Sequence, residues 1–281
     1  ARPGADGVHE GLRAEGESDG GMEGRVDAKV RVVTGGTQGV GETIAVRAAG
    51  AGAEAIVITG RDAGRGQAVA AALEVLGPKA LFVRADLAHP SAPSRITGMA
   101  IEAFGRIDGL VNAAGLTDRG SVAEADLDLW QRLMDVNARA PFFLMQEAIR
   151  DMTGRGAPGS IVNILSMNAH CGTPELAVYS ATKGALATLT KNAAHAHMAD
   201  RIRVNGIMMG WAATPAERRM QAETLGRGDG WERTVAATMP LGRMLALDEV
   251  ARLAVYLLSD ASGLQTGTLV DLEQRVVGAP F

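Results

Sequence analysis

Between Val30 and Val270 the chain alternates short β-branched runs with longer, alanine-rich stretches of helical periodicity, and this alternation limits the possible folds more than any other feature. The strand-like runs are Val30–Thr34, Ala55–Thr59, Ala80–Arg84, Gly109–Asn112, Ser160–Leu165, Ile202–Gly206 and Thr268–Val270. Helical patterns fall between them, near 40–51, 63–76, 92–104, 124–152, 175–199 and 247–259. Strands separated by helix-length segments read as repeated βαβ units, which build parallel sheets. Ile56-Val57-Ile58 and Ile161-Val162 are continuously apolar rather than alternating, as strands covered on both faces require. The pattern predicts an α/β fold, a single doubly wound domain whose parallel strands are flanked by helices.

Two segments stand apart from this rhythm. Residues 1–28 carry seven glycines, seven acids, three bases and almost no clustered apolar side chains. Such a segment cannot bury enough surface to offset its ordering entropy. A disordered leader over 1–28 is therefore expected, with the catalytic domain at 29–281, Met22 as the start and 1–21 as an upstream extension. Residues 207–246 form the second exception, with Trp211, Trp231 and four methionines ahead of Leu241. This is too long for an ordinary strand-to-helix connection and predicts a lid over a binding site.

The leader holds the entire formal net charge of −4, and the domain behind it balances. That excludes a basic protein that finds nucleic acid by charge, and a polybasic membrane-surface protein. A single cysteine, Cys171, excludes a disulfide framework and a cysteine-based zinc cluster. No run approaches the roughly 18–20 apolar residues of a membrane span, and the first residues lack an apolar signal-peptide core. A cytoplasmic protein with a small-molecule substrate is expected, with no nucleic acid or membrane as partner and no metal.

Thr34-Gly35-Gly36-Thr37-Gln38-Gly39-Val40-Gly41 follows the first strand and opens a helix. Gly35 permits a tight turn, Gly39 lets the backbone approach a pyrophosphate, and Gly41 lets helix and strand pack closely. The helix N-terminus then offers unpaired N–H groups and partial positive charge to phosphates. A plain glycine turn is the alternative that this segment alone leaves open.

Further motifs follow in order: Asn112-Ala113-Ala114-Gly115 after the fourth strand, Asn137 in the next long helix, Ser166 after the fifth strand, and Tyr179-Ser180-Ala181-Thr182-Lys183. With the glycine turn, this set resembles the short-chain dehydrogenase/reductase family over roughly residues 26–275. The resemblance implies a Rossmann-type fold and hydride transfer between a nicotinamide cofactor and a secondary alcohol or ketone of 3-oxoacyl, alicyclic or sugar/polyol type. It also implies a homo-oligomer, tetramer or dimer. Thr37, Gln38 and Val40 join the glycines as expected cofactor contacts, with Asp86 and Leu87 at the adenine, then Asn112, Ala113, Gly115 and Gly210, and Thr214 at the carboxamide.

Tyr179 and Lys183 stand four apart on one helical face. A phenol with a pKa of about 10 is a poor base at neutral pH. The neighbouring ammonium, and a positively charged nicotinamide, are expected to lower it so that Tyr179 serves as acid and base. Ser166 stands at the carboxyl end of a strand, where open α/β sheets place ligands, and holds the substrate oxygen. By the resemblance, Asn137 fixes a water behind Lys183, and Lys183 also holds the nicotinamide ribose. The alternative is a nucleotide-binding sensor or scaffold without turnover, against which all four catalytic positions argue.

The second strand ends Ile58-Thr59-Gly60-Arg61, so Gly60 stands where an acid would hold a ribose 2′-hydroxyl. Arg61 suits a 2′-phosphate. NADP(H) is expected over NAD(H), although Gln38 is not the base that such sites often carry and Asp62 lies near. Met209-Gly210-Trp211-Ala212-Ala213-Thr214 replaces the family's Pro-Gly-x-x-x-Thr and puts the substrate in doubt. Met167, Asn168, His170, Met209 and Trp211 are expected substrate contacts, with Cys171, Glu175, Met208 and Trp231 nearby. His195 and His197, two apart on a helix, point to different faces and make no metal pair. Arg31 lies inside the first strand and is expected to snorkel outward.

Overall fold

The computed structural model describes residues 25–278; Met22 and the expected leader up to residue 24 lie outside the described residues, as do 279–281. Seven strands form one parallel sheet: β1 (Val30–Thr34), β2 (Ala55–Gly60), β3 (Lys79–Arg84), β4 (Gly109–Asn112), β5 (Gly159–Ile164), β6 (Ile202–Met209) and β7 (Leu269–Leu272). Their order is β3-β2-β1-β4-β5-β6-β7. The chain starts at β1, winds outward to β3, then returns to β4 and winds to the other edge. Winding reverses between β1 and β4, which pair with Thr34 opposite Asn112. A crevice opens there at the carboxyl ends of the strands, where such sheets bind ligands.

Apolar runs without alternation bury both faces of this sheet. Val32, Val57, Leu110 and Ile161 face one layer, with Ile96, Leu144 and Leu186 from α3 (Ala92–Phe104), α5 (Ala140–Gly154) and α6 (Ala177–Ala196). Val33, Ile58, Val111 and Val162 face the other, with Ile44, Leu73 and Val250 from α1 (Gly39–Gly50), α2 (Ala63–Val75) and α9 (Leu247–Leu258). No helix among the described residues is long and apolar enough to cross a membrane.

Three expectations need correction. The single helix predicted over 124–152 begins later, as α4 (Leu127–Met134), because Asp126 caps it by accepting from the Leu129 N–H at 2.7 Å. It then widens into a π turn at Asp135–Arg139 before α5. Pro141 has no N–H, so it cannot give the Asn137 carbonyl the usual i+4 helical bond. The insertion after β6 contains α7 (Pro215–Arg219) and α8 (Trp231–Ala236), which the sequence pattern did not suggest. Met208 is 1% exposed and belongs to the core, not to the lid. The 28/29 boundary also falls too late. Val26 is 2% exposed and donates its N–H to the Ala51 carbonyl at 3.0 Å.

Arg31 does not snorkel outward. It is 3% exposed, and its guanidinium donates to the carbonyls of Asp108 at 3.1 Å and Leu258 at 3.4 Å. Gly109 makes the room, since a Cβ there would collide with Arg31 Nη1. Burial pushes Arg31 down to about 10, and Nε has no hydrogen-bond partner. A buried cation with an orphaned donor contributes little stability. Arg31→Met is therefore expected to leave the urea midpoint unchanged or raise it, a gain of up to ~1–4 kcal/mol. A loss above about 2 kcal/mol would mean that the two carbonyl bonds outweigh the desolvation.

Candidate active site

The chain leaves β1 through a turn that only glycines can make. Gly35 and Gly39 sit at φ +66° and +59°, in the left-handed region. A Cβ on Gly41 would collide with the Gly35 carbonyl, and one on Gly35 would stand 2.9 Å from Ala114 Cα. The first residues of α1 have no side-chain cap, because Gln38 makes none. Their N–H groups point out of the helix end into the crevice, beside the glycine backbone, which is the donor set that a pyrophosphate takes. The residues present therefore fit a dinucleotide.

The crevice is a cleft of about 600 Å³. Of the expected cofactor residues, Gly35, Thr37, Gln38, Gly39, Val40, Gly41, Arg61, Asp86, Leu87, Ala113, Gly115, Gly210 and Thr214 line it. Asn112 does not. It is 1% exposed, and its amide donates to Asn163 Oδ1 at 2.8 Å, so its side chain joins β4 to β5 inside the sheet.

Ser166, Tyr179 and Lys183 line the same cleft. Ser166 follows β5, and its Oγ accepts from the Asn168 N–H at 3.2 Å while also bonding to Tyr179. Lys183 Nζ lies 5.8 Å from the centroid of the Tyr179 ring and donates to the Ile164 carbonyl at 2.8 Å. Asn137 is fully buried behind them. Its Oδ1 accepts from the Leu116 N–H at 2.9 Å, and its amide donates to the Leu116 carbonyl at 2.9 Å and to Thr182 Oγ1 at 3.1 Å. A Cβ on Gly115 would stand 3.5 Å from Asn137 Oδ1 and 3.6 Å from Lys183 Nζ, so glycine keeps the space between them open.

The expected direction of the Tyr179 shift is reversed in the protein alone. Burial pushes Tyr179 up to about 12, and the Ser166 bond offsets only part of this. Burial also pushes Lys183 down to about 8. At neutral pH the site therefore holds a phenol that can donate a proton and a lysine that still carries charge.

Met167, Asn168, Met209, Trp211 and Glu175 line the cleft, whereas His170 and Cys171 are exposed outside its lining. His170 pairs with Asp271 at 3.2 Å. Trp231 is 4% exposed and backs Trp211 at 6.1 Å between ring centroids. The Trp211 N–H donates to Glu217 Oε1 at 3.0 Å.

Several cleft residues escaped the sequence reading, chief among them Arg65, Arg119, Glu217 and Gln221. Glu217 had a signal. Thr214-Pro215-Ala216-Glu217 has the spacing of a capping box, and Thr214 Oγ1 does accept the Glu217 N–H at 3.1 Å. The Glu217 carboxylate does not complete the box but turns to Trp211, Gln221 and Arg119. Arg119 follows β4 with no motif to mark it.

Fold, glycine turn and Ser–Tyr–Lys cluster together define a nucleotide-dependent dehydrogenase. A family model described as enoyl-(acyl carrier protein) reductase matches residues 35–273. Cis-4-hydroxycyclohexanecarboxylate dehydrogenase of Sinomonas cyclohexanicum is 32% identical, covering 87% of this chain and 95% of its own. A short-chain type dehydrogenase/reductase from Mycobacterium marinum superposes with a TM-score of 0.82 at 28% identity, covering 91% of this chain and 98% of that one. L-Sorbose reductase from Gluconobacter frateurii, solved with NADPH and L-sorbose, gives a TM-score of 0.86 at 29% identity, covering 92% and 100%. The chain belongs to the short-chain dehydrogenase/reductase family. It is an NAD(P)(H)-dependent oxidoreductase acting on alcohol and ketone groups.

The shift on Lys183 has a consequence for stability. Its folded pKa, about 8, lies below the free value of 10.5, so the unfolded chain binds more protons between them. The stability of the wild type relative to Lys183→Met should therefore rise as pH goes from 8 to 10. The expected change is on the order of 2 kcal/mol, read from urea midpoints at each pH. A pH-independent difference would mean that the buried ammonium is not held down.

Proposed function

We propose that the protein reduces a ketone to a secondary alcohol with NADPH, Tyr179 donating the proton. The observation that carries this is the buried, protonated Tyr179 bonded to Ser166, with Lys183 beside it, in the cleft that the glycine turn opens. When bound, the nicotinamide supplies the hydride and, once oxidised, a positive charge. Ser166 Oγ donates to the substrate oxygen and orients the carbonyl. As that oxygen gains negative charge, Tyr179 Oη transfers its proton to it. The Lys183 ammonium stabilises the resulting phenolate. The Asn137 carbonyl, which Pro141 deprives of its i+4 donor, provides an acceptor at the head of a path that returns a proton past Lys183. In the oxidative direction the same groups act in reverse, and the rate rises with pH as the phenolate becomes available.

NADPH is favoured over NADH by the charges at the end of β2. Arg61 and Arg65 both line the cleft there. An acid at position 60 would not fit, since even a Cβ would stand 2.6 Å from Thr37. Asp62 is engaged as the cap of α2, accepting from the Arg65 N–H at 3.0 Å and pairing with Arg65 Nε at 3.2 Å. Guanidinium without an available carboxylate suits a 2′-phosphate rather than a ribose hydroxyl. The substrate is a small ketone of alicyclic or sugar type. Both kinds occur among the relatives named above, and the cleft mixes Met167, Met209 and Trp211 with Asn168 and Glu175.

Two variants test the reading. Tyr179→Phe is expected to lower kcat for ketone reduction by ~10²–10⁴-fold with NADPH binding retained, in steady-state assays of nicotinamide absorbance. Equal activity of variant and wild type on every reactive ketone overturns the proton-donor role. Arg61→Ala is expected to lower the NADPH/NADH ratio of kcat/KM by about ten- to a hundredfold, as one charge-assisted bond is lost. A wild type that prefers NADH overturns the cofactor assignment.

A further inference from the structure

Beyond the reacting groups, one pair of opposite charges stands inside the cleft. Arg119 comes from the loop after β4, and Glu217 comes from α7 in the insertion. Their side chains are 18% and 11% exposed, and they meet at 3.4 Å. Glu217 is held by one oxygen only. Oε1 accepts from Gln221 Nε2 at 2.6 Å, from Trp211 Nε1 at 3.0 Å and, at the longest range, from Arg119 Nη2. Oε2 accepts no hydrogen bond from any described residue. Gln221, 1% exposed and also lining the cleft, has a side-chain oxygen with no partner. Arg119 gives Nη1 to the Thr117 carbonyl at 2.6 Å, and its remaining N–H donors have no tight bond.

Whatever binds against Tyr179 must therefore cover a carboxylate oxygen and a guanidinium edge together. An apolar group would strip water from both and replace nothing. An anion would suit Arg119 and meet the Glu217 charge. An ammonium would suit Glu217 and meet the Arg119 charge. A hydroxyl satisfies both at once, because it donates one hydrogen bond and accepts others. Glu217 and Arg119 line the same cleft as Ser166 and Tyr179, so a substrate seated there lies against the pair.

We propose that Glu217 and Arg119 read a second hydroxyl on the substrate, on a carbon near the reacting carbonyl, with Glu217 Oε2 accepting from it and Arg119 donating to it. The substrate class is then a neutral hydroxylated ketone, and its product a polyol. Glu217 and Arg119 are specificity-determining residues that take no part in the hydride or proton step. This inference rests on the ketone-reductase reading above.

The test is a matched set of three ketones of one skeleton, assayed with NADPH: the hydroxy ketone, its deoxy analogue and the corresponding keto acid. Wild type is expected to favour the hydroxy ketone over the deoxy analogue by about tenfold or more in kcat/KM, mostly through KM. Glu217→Ala is expected to bring that ratio near one, and Arg119→Met to lower it. Glu217→Gln, which keeps the size and an amide oxygen, should retain part of it and serves if the alanine variant melts early. NADPH titration by fluorescence checks that each variant keeps an intact cofactor site. An undiminished ratio in Glu217→Ala, or in Glu217→Gln where the alanine variant melts early, overturns the subsite, as does a wild type that prefers the deoxy ketone or the keto acid. Turnover without discrimination strikes the subsite alone, whereas no turnover of any ketone strikes the reductase reading and the subsite with it.

Discussion

The Lys183 bond to the Ile164 carbonyl ties α6 to the end of β5, and the geometry of the site depends on it. It spans two elements that the chain reaches through a loop of irregular backbone, and it is buried, so no water competes for either partner. Once it forms, the helical spacing places Tyr179 one turn earlier on the same face. Ser166, two residues past Ile164, then falls within bonding reach of that phenol. Three functional groups from two elements are thus positioned by one hydrogen bond and two backbone regularities. The loop between them also carries His170 and Cys171, and both residues stand outside the cleft lining.

A second layer of polar bonds holds the strands at the register this requires. Thr34 Oγ1 accepts the N–H groups of Ala113 at 3.1 Å and Ala114 at 3.2 Å, carrying β1 across to the turn after β4. Asn112 joins Asn163, and Asn163 donates to Thr190 on α6 at 2.9 Å. The chain of contacts from β1 through β4 and β5 to α6 is internal, and a broken member would leave a buried polar group unpaired. This explains why Asn112, expected at the cofactor, serves the sheet instead. Its place at the head of the Asn112–Gly115 motif made it look like a ligand contact, but its side chain bonds to Asn163 on the neighbouring strand.

The fold was legible because periodicity and burial are local properties. All seven strands were anticipated to within a few residues, the central ones because apolar runs buried on both faces leave a clear pattern. The glycine turn and the Tyr179–Lys183 spacing were legible for a similar reason, each being a steric or helical constraint within a few residues. What was missed is non-local. Arg31 is buried because Gly109, on another strand, has no side chain, and no window around Arg31 contains that fact. Arg119 and Glu217 meet across the cleft from segments nearly a hundred residues apart. The break in the long helix was readable in hindsight from Pro141, although the predicted periodicity passed over it.

Burial acts on Tyr179 and Lys183 in opposite senses, and this bears on how charge moves in the site. A desolvated phenol resists losing its proton and a desolvated ammonium resists keeping one, so burial disfavours both charged forms. The gap between about 12 and about 8 means that the phenolate–ammonium pair is not the resting state. Charge must be brought in from outside the chain, by a substrate oxygen becoming negative or a nicotinamide becoming positive. Each favours proton transfer only while it is present. Net charge does not supply it, because the bases and acids of residues 29–281 balance. In the reaction proposed for this site, the proton therefore moves once the substrate is in place, because until then burial keeps the phenolate unfavourable.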